Sequence, residues 1–302
     1  MDTDEVAGSR PGPADGPLVL VGYSAAVISA LSTKYLPDVP LIVVDEPDVL
    51  RKRDARAASA GVQTLREMID WEYHLDGAAD CFYHRYREMR PAGVVPITEY
   101  AVPFAARLAE RYGVVGAGYG AARLLRDKSL LRKVTRAAGI LNPESVAVSD
   151  PAEVAAFMAE IGGPVVLKPA NRQASVGTKI LYEPAEAAPA WLECTDQDEG
   201  VFVPDRPMPV QMLAERFVAG DEFSVEMMID GGRPAFGAVT RKFLFPGPRP
   251  VEQGHLHPAD ISTDLTARLL AETARVLAAV GMDTGLVHCE WIVAGGAPYL
   301  VE

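Results

Sequence analysis

The sequence predicts an α/β fold that begins with an open parallel-sheet domain, and three observations carry this. Residues 17–22 (PLVLVG) and 41–45 (LIVVD) are short apolar runs, the pattern of strands buried on both faces. Between them, Val27, Ile28 and Leu31 recur at near-helical spacing. Strand, helix and strand in such a short stretch is the unit that builds a parallel sheet.

The remaining elements follow in order. Candidate strands at 94–97 (VVPI) and 114–115 (VV) flank an amphipathic helix around 104–108, which completes a domain over 17–118. A helix rich in Leu, Arg and Ala over 120–138 ends at the stop signal GILNP, 139–143. Asp150 caps a short helix at 151–161, with Pro151 at its first position. Residues 164–169 (PVVLKP) read as a strand with Lys168 at its end. The segments 211–218 and 222–229 alternate around Ala219-Gly220-Asp221 and are expected to be adjacent strands. A long Pro-rich loop at 246–258, a helix at 264–280 and strands at 286–293 and 298–302 complete the chain, with no internal repeat.

Composition excludes several functions. The chain has 302 residues, a net charge of −12 and no basic run longer than Arg51-Lys52-Arg53, so the footprint of a nucleic-acid binder is absent. No apolar run reaches the 18 or so residues of a membrane helix. Residues 1–16 are rich in Gly, Pro and Asp, lack an apolar core and read as a disordered tail, not a secretory signal. Cys81, Cys194 and Cys289 are few and widely spaced, against a disulfide framework or zinc knuckle and in favour of a reducing, cytoplasmic setting.

An enzyme that handles ATP needs cations for the phosphates, a clamp for adenosine and carboxylates for Mg²⁺. Lys128 follows Asp127 in DKSLLR, and Lys168 closes GPVVLKP about forty residues later. The loop NRQASVGT (171–178) contains Ser175 and Gly177; AERFV (214–218) precedes GDEFSVE (220–226); VHCEWI (287–292) precedes PYLVE (298–302). Glu290 lies within an apolar strand, where a carboxylate needs a partner, and a metal is the natural one. In this order the segments resemble the ATP-grasp superfamily over residues 17–302, in its carboxylate–amine ligase branch.

The resemblance implies a two-lobed α+β ATP-grasp domain over 119–302 behind a pre-ATP-grasp domain over 17–118. Its first lobe, 119–210, would hold the linker helix and phosphate lid, and its second, 211–302, adenosine and metal. Lys128 and Lys168 would contact the nucleotide phosphates, with Ser175 and Gly177 in the covering loop. Glu215, Arg216, Phe217 and Val218 would form the adenosine hinge, and Glu222 would accept from the ribose. Glu290 and Glu302 would hold Mg²⁺, or Mn²⁺. The stretch TRKF (240–243) followed by VEQGHLHP (251–258) is similar to L-amino-acid ligases that form dipeptides. It assigns Lys242 to a phosphate, Arg241 as the alternative in another register, and Glu252 and His255 to the amino acid. The implied reaction joins a carboxylate, an amino acid, to an amine through an acyl phosphate, releasing ADP. Small-molecule substrates, no nucleic acid and no membrane are implied, and a homodimer is compatible.

Two departures stand out. The loop 171–178 has one glycine where many relatives have several, and the family's Asn-x-Arg after the second metal glutamate is absent, so the natural protein is expected to continue. Rival readings are a D-alanine-ligase-like or carboxylase-like enzyme, a non-catalytic ATP-binding module, or a dinucleotide-dependent oxidoreductase. Asp45 would serve the last, but Gly22-Tyr-Ser-Ala-Ala-Val lacks the G-x-G-x-x-G spacing. His255, His257 and Asp260 also invite a transition-metal reading, with no further His or Cys cluster to support it. Shared coordination requires Glu290 and Glu302 on one sheet face, which predicts an odd-length loop or bulge near 295–297.

Overall fold

A computed structural model describes residues 16–196, 199–247 and 249–302. Of the expected tail, residues 1–15 lie outside the described residues. The chain divides into two compact units between Val115 and Gly116.

In the first unit, β1 (Leu18–Val21), β2 (Leu41–Asp45), β3 (Leu65–Asp70) and β4 (Gly93–Pro96) form a parallel sheet in the order β3-β2-β1-β4. Helices α1 (Ala25–Ala30), α2 (Pro47–Lys52) and α3 (Ala55–Ala58) cover one face, where Ile28, Leu50 and Ala55 meet Leu20, Leu41 and Val43. Helices α4 (Ala78–Arg85) and α5 (Val102–Tyr112) cover the other, where Phe82, Phe104 and Leu108 meet Val19, Val21 and Val44. Both faces are dry, so β1 and the first four residues of β2 are apolar. The expected strand at 114–115 is not one: after the left-handed Gly113 cap these residues pair with nothing in the sheet. The fourth strand is β3, whose polar Arg66, Glu67 and Asp70 suit an edge position and hide its strand character.

The second unit starts with α6 (Tyr119–Arg126) and α7 (Lys128–Ala137), two helices where one was expected. Asp127 separates them with an extended backbone and caps α7 by accepting from Leu130 N at 3.1 Å. A four-stranded antiparallel sheet follows, β5-β8-β6-β7, from β5 (Ser145–Val148), β6 (Val165–Pro169), β7 (Lys179–Leu181) and β8 (Met212–Arg216). Helices α8 (Pro151–Ile161) and α9 (Ala187–Thr195) pack on it through Val154, Phe157 and Ala190. Asp150 accepts from Ala152 N and Glu153 N, the cap that its position ahead of Pro151 predicts.

The larger sheet, β11-β10-β9-β12-β13, contains β9 (Asp221–Asp230), β10 (Arg233–Leu244), β11 (Glu252–Leu256), β12 (Gly285–Ala294) and β13 (Ala297–Leu300). The expected pairing of 211–218 with 222–229 does not occur: β8 belongs to the first sheet and β9 to the second. The short link passes so close to β12 that a Cβ on Gly220 would lie 2.4 Å from Val293 O. Nor is 246–258 all loop, since β11 lies within it. Helix α10 (Thr263–Val280) seals one face, burying Phe223, Val225, Met227, Cys289, Trp291 and Leu300 against Leu269, Val276 and Leu277. Among the described residues no helix is long and apolar enough to cross a membrane.

Trp291 is wholly buried, and its indole N–H donates to Thr273 Oγ1 of α10 at 2.9 Å. Thr273→Val leaves that donor unpaired and is expected to lower stability by about 1–3 kcal/mol in urea denaturation. An unchanged midpoint would show that the bond has no net weight.

Candidate functional site

Because α10 covers one face of the large sheet, alternation sends every second side chain of β9, β10 and β12 to the other. The register makes rows there. Lys242, Glu222 and Ile292 stand side by side, then Thr240, Ser224 and Glu290, then Ala238, Glu226 and His288. Lys242 therefore shares a face with Glu290. Arg241 leaves by the opposite face and pairs with Asp221 and Asp260 at 3.1 and 3.2 Å.

Lys242 Nζ is paired with Glu290 Oε1 and lies 2.6 Å from Glu252 Oε1, and Glu252 Oε2 is 3.2 Å from His255 Nε2. His288 places Nδ1 3.0 Å from Glu226 Oε1 and Nε2 3.2 Å from Glu290 Oε1. Both ring nitrogens must donate to make these bonds, so the imidazolium is favoured. The contact with Glu290 raises the His288 pKa, against its burial and with help from Glu226. Burial pushes the Glu290 carboxyl up, but His288 and Lys242 together outweigh it and hold it at about 2. Burial raises the pKa of Glu222, with Glu290 and Glu252 adding to it and Lys242 and Lys168 opposing.

The smaller sheet supplies a second cluster. Lys168 ends β6 and Glu215 faces it from β8; both are buried. Glu215 Oε1 accepts from Arg132 Nε and Oε2 faces Lys168 Nζ, each at 2.7 Å. Burial raises the Glu215 pKa, but Arg132 and Lys168 overcome it and hold it at about 2. Burial lowers the Lys168 pKa, with Arg132 and Lys128 pushing the same way and Glu215 resisting. Lys128, one helical turn before Arg132, donates to Arg172 O at 3.1 Å and meets Glu302 Oε2 at 2.5 Å.

Glu302 arrives by an unexpected route. The loop after β12 has two residues: Ala294 pairs with Ala297 through Gly295 and Gly296, at φ 56° and 79°. This corrects the odd-length loop. Consecutive left-handed glycines make a turn whose twist matches the strands, so the shortest loop wins. The bulge occurs at the far end instead. Val301 N donates to Glu290 O, whereas Glu290 N donates to Glu302 O, so two residues oppose one. Arg132 holds this end, donating to Val301 O at 2.6 Å.

Of the other expected residues, Glu215 is buried and pairs with Arg132 and Lys168, one through each carboxylate oxygen. Arg216 is exposed and pairs with Glu144. Phe217 N donates to Pro164 O at 2.9 Å, and Phe217 and Val218 are half-buried. Ser175 and Gly177 lie in a tight loop with left-handed φ at 55° and 73°. His257 Nδ1 lies 3.1 Å from Thr240 Oγ1, and among the described residues no three His, Cys, Asp or Glu side chains converge as a metal cluster. Sequence reasoning missed Arg132, Glu226 and His288. Arg132 is four residues after Lys128 on one helix face, and His288 two before Glu290 on one strand face, so spacing marked both. Carboxylate oxygens at Glu290 and Glu302 fit a hard cation such as Mg²⁺, which takes one or two carboxylates beside phosphate oxygens.

Residues 161–302 match the family model described as an ATP-grasp domain. The chain is 25% identical over 124 residues to a D-alanine–D-alanine ligase of Verminephrobacter eiseniae, covering 41% of this chain and 34% of that protein. It is 24% identical over 198 residues to the alanine–anticapsin ligase of Bacillus subtilis, covering 61% of this chain and 42% of the relative. The chain thus spans less than half the length of both. Its fold is similar to that of the L-amino acid ligase from Bacillus licheniformis, with a TM-score of 0.74 and 18% identity, over 95% of this chain and 66% of that one.

Glu215 and Glu290, both held at about 2 against an ordinary 4.5, contribute stability that is complete above pH 4.5 and lost as pH falls toward 2. Melting temperature is expected to decline across that window, and a flat profile would contradict the ionised pairs. Glu215→Ala leaves Arg132 and Lys168 without their shared counter-charge and should cost about 3–5 kcal/mol in chemical denaturation.

Proposed function

We propose, from the premise that residues 161–302 are an ATP-grasp domain, that this chain is an ATP-dependent carboxylate–amine ligase that forms ADP. The carrying observation is the shared sheet face of Lys242 and Glu290: a cation for a transferring phosphoryl group beside a carboxylate for its metal. One oxygen of a substrate carboxylate, that of an amino acid, attacks the γ-phosphorus of ATP. The bond to the bridging oxygen breaks and ADP leaves. An amine nitrogen then attacks the acyl carbon, phosphate departs with the electrons of the C–O bond, and the nitrogen loses a proton.

The chain's own residues position and neutralise charge in this scheme. Lys128, Lys168 and Lys242 contact phosphate oxygens, and the loop with Ser175 and Gly177 covers them. Phe217 and Val218 offer backbone to adenine, and Glu222 accepts from the ribose. Glu290 and Glu302 would hold Mg²⁺ or Mn²⁺, which neutralises phosphate charge when bound. Glu252 and His255, continuous with Lys242, border the carboxylate end of the amino acid. Arg241 and Arg216, engaged elsewhere, take no direct part. The setting proposed is cytoplasmic, with small-molecule substrates, and homodimer formation is compatible.

Saturating Mg-ATP is expected to raise the melting temperature, since a ligand at 100 times its Kd adds about 2.7 kcal/mol. Lys168→Ala and Lys242→Ala should each reduce that shift. ADP release against a panel of carboxylate and amine pairs then names the substrates by product mass. No shift with native protein, or shifts in both variants as large as the native one, would sink the phosphate assignments.

A further inference from the structure

The rows on the open face of the large sheet continue beyond Glu226 and His288. The next row is Phe236, Met228 and Leu286, adjacent in register across β10, β9 and β12. All three are exposed, by 61%, 40% and 81%. Large apolar side chains side by side on a sheet bury one another's edges but leave a platform that water covers poorly, and such patches mark binding surfaces. This one is continuous with the charged rows of the proposed ligase site. It lies beyond Glu226, and Glu226 lies beyond Glu290.

The Glu226 carboxylate has a place for one more donor. Ser224 Oγ and His288 Nδ1 donate to Oε1 at 2.7 and 3.0 Å, and Thr240 Oγ1 donates to Oε2 at 3.0 Å. A carboxylate has about four lone-pair sites, so these three donors, counted among the described residues, leave one, on Oε2. The side chain is 43% exposed, so a ligand can reach it.

We propose that Glu226 and the platform of Phe236, Met228 and Leu286 form the subsite for an amino acid with a large apolar side chain. The substrate carboxylate lies at Lys242 and Glu290, its α-ammonium at Glu226, and its side chain on the platform. Spacing supports this: rows two residues apart on a strand are separated by about 7 Å. The single step from Glu226 to the platform is within reach of a leucine or phenylalanine side chain. Charge supports it too. Burial pushes the Glu226 pKa up, but Ser224, Thr240 and His288 lower it below the ordinary carboxylate, so an anion meets the ammonium. The subsite rests on the ligase reading for its carboxylate end.

Calorimetric titration of the chain with Mg²⁺ and a non-hydrolysable ATP analogue tests it without requiring turnover. L-Leucine and L-phenylalanine are expected to bind at least about tenfold more tightly than L-alanine or L-aspartate, the scale set by apolar pocket contacts. Leu286→Glu, at an exposed position, should remove that preference and leave the Mg-ATP melting shift intact. Glu226→Gln should weaken L-leucine but not 4-methylpentanoate, which lacks the ammonium. No apolar preference, an unaffected Leu286→Glu variant, or equal weakening of leucine and 4-methylpentanoate would overturn the subsite while nucleotide binding stands. Loss of the nucleotide shift in the native protein would bring down the ligase reading and the subsite with it.

Discussion

Arg132, Lys168 and Glu215 place two cations and one carboxylate out of water together, and the charged face of the second unit is arranged around them. Removing such groups from water costs several kcal/mol each, so the cluster persists only because each charge has its counterpart at hydrogen-bond distance. One net positive charge remains. Arg132 also reaches Val301, so the same guanidinium ties the helix, the smaller sheet and the end of the chain together.

The larger sheet divides its labour by side-chain alternation. One set of residues makes the core with α10, and the other makes a graded surface: lysine and glutamates, then glutamate and histidine, then apolar groups. Nothing about this grading is visible in a single strand. It needs three strands in register: the Gly231-Gly232 turn joins β9 to β10, and β12 pairs along the other edge of β9.

That explains what could be read from the residues. β1, β2 and β6 were legible because strands dry on both faces are continuous apolar runs, and α8 because Asp150 and Pro151 announce its start. Lys168 and Glu290 were legible because a charge in an apolar strand demands a partner. β10 was not, since Pro234 and Gly237 interrupt its alternation and a bulge shifts its register. β3 was hidden by its polar edge residues, and the separation of β8 from β9 depends on a close backbone approach at Gly220. Arg132 escaped notice because its partner, Glu215, is 83 residues away.

The tight turn before β13 and the bulge after it act in opposite senses. With the two-residue turn, Leu300 faces inward opposite Trp291, in the core where α10 packs. The slip at Val301 then sets Glu302 against Glu290 and within reach of Lys128. One short strand thereby meets two demands that a regular strand cannot meet together. Its register is consequently constrained at both ends. Drawing Ala297 into the turn would set Glu302 opposite Glu290 but would turn Leu300 out of the core, and regular pairing of Val301 would keep the core and move Glu302 away from Glu290. Substitution is open to this segment wherever side chains permit; a shift of register is not.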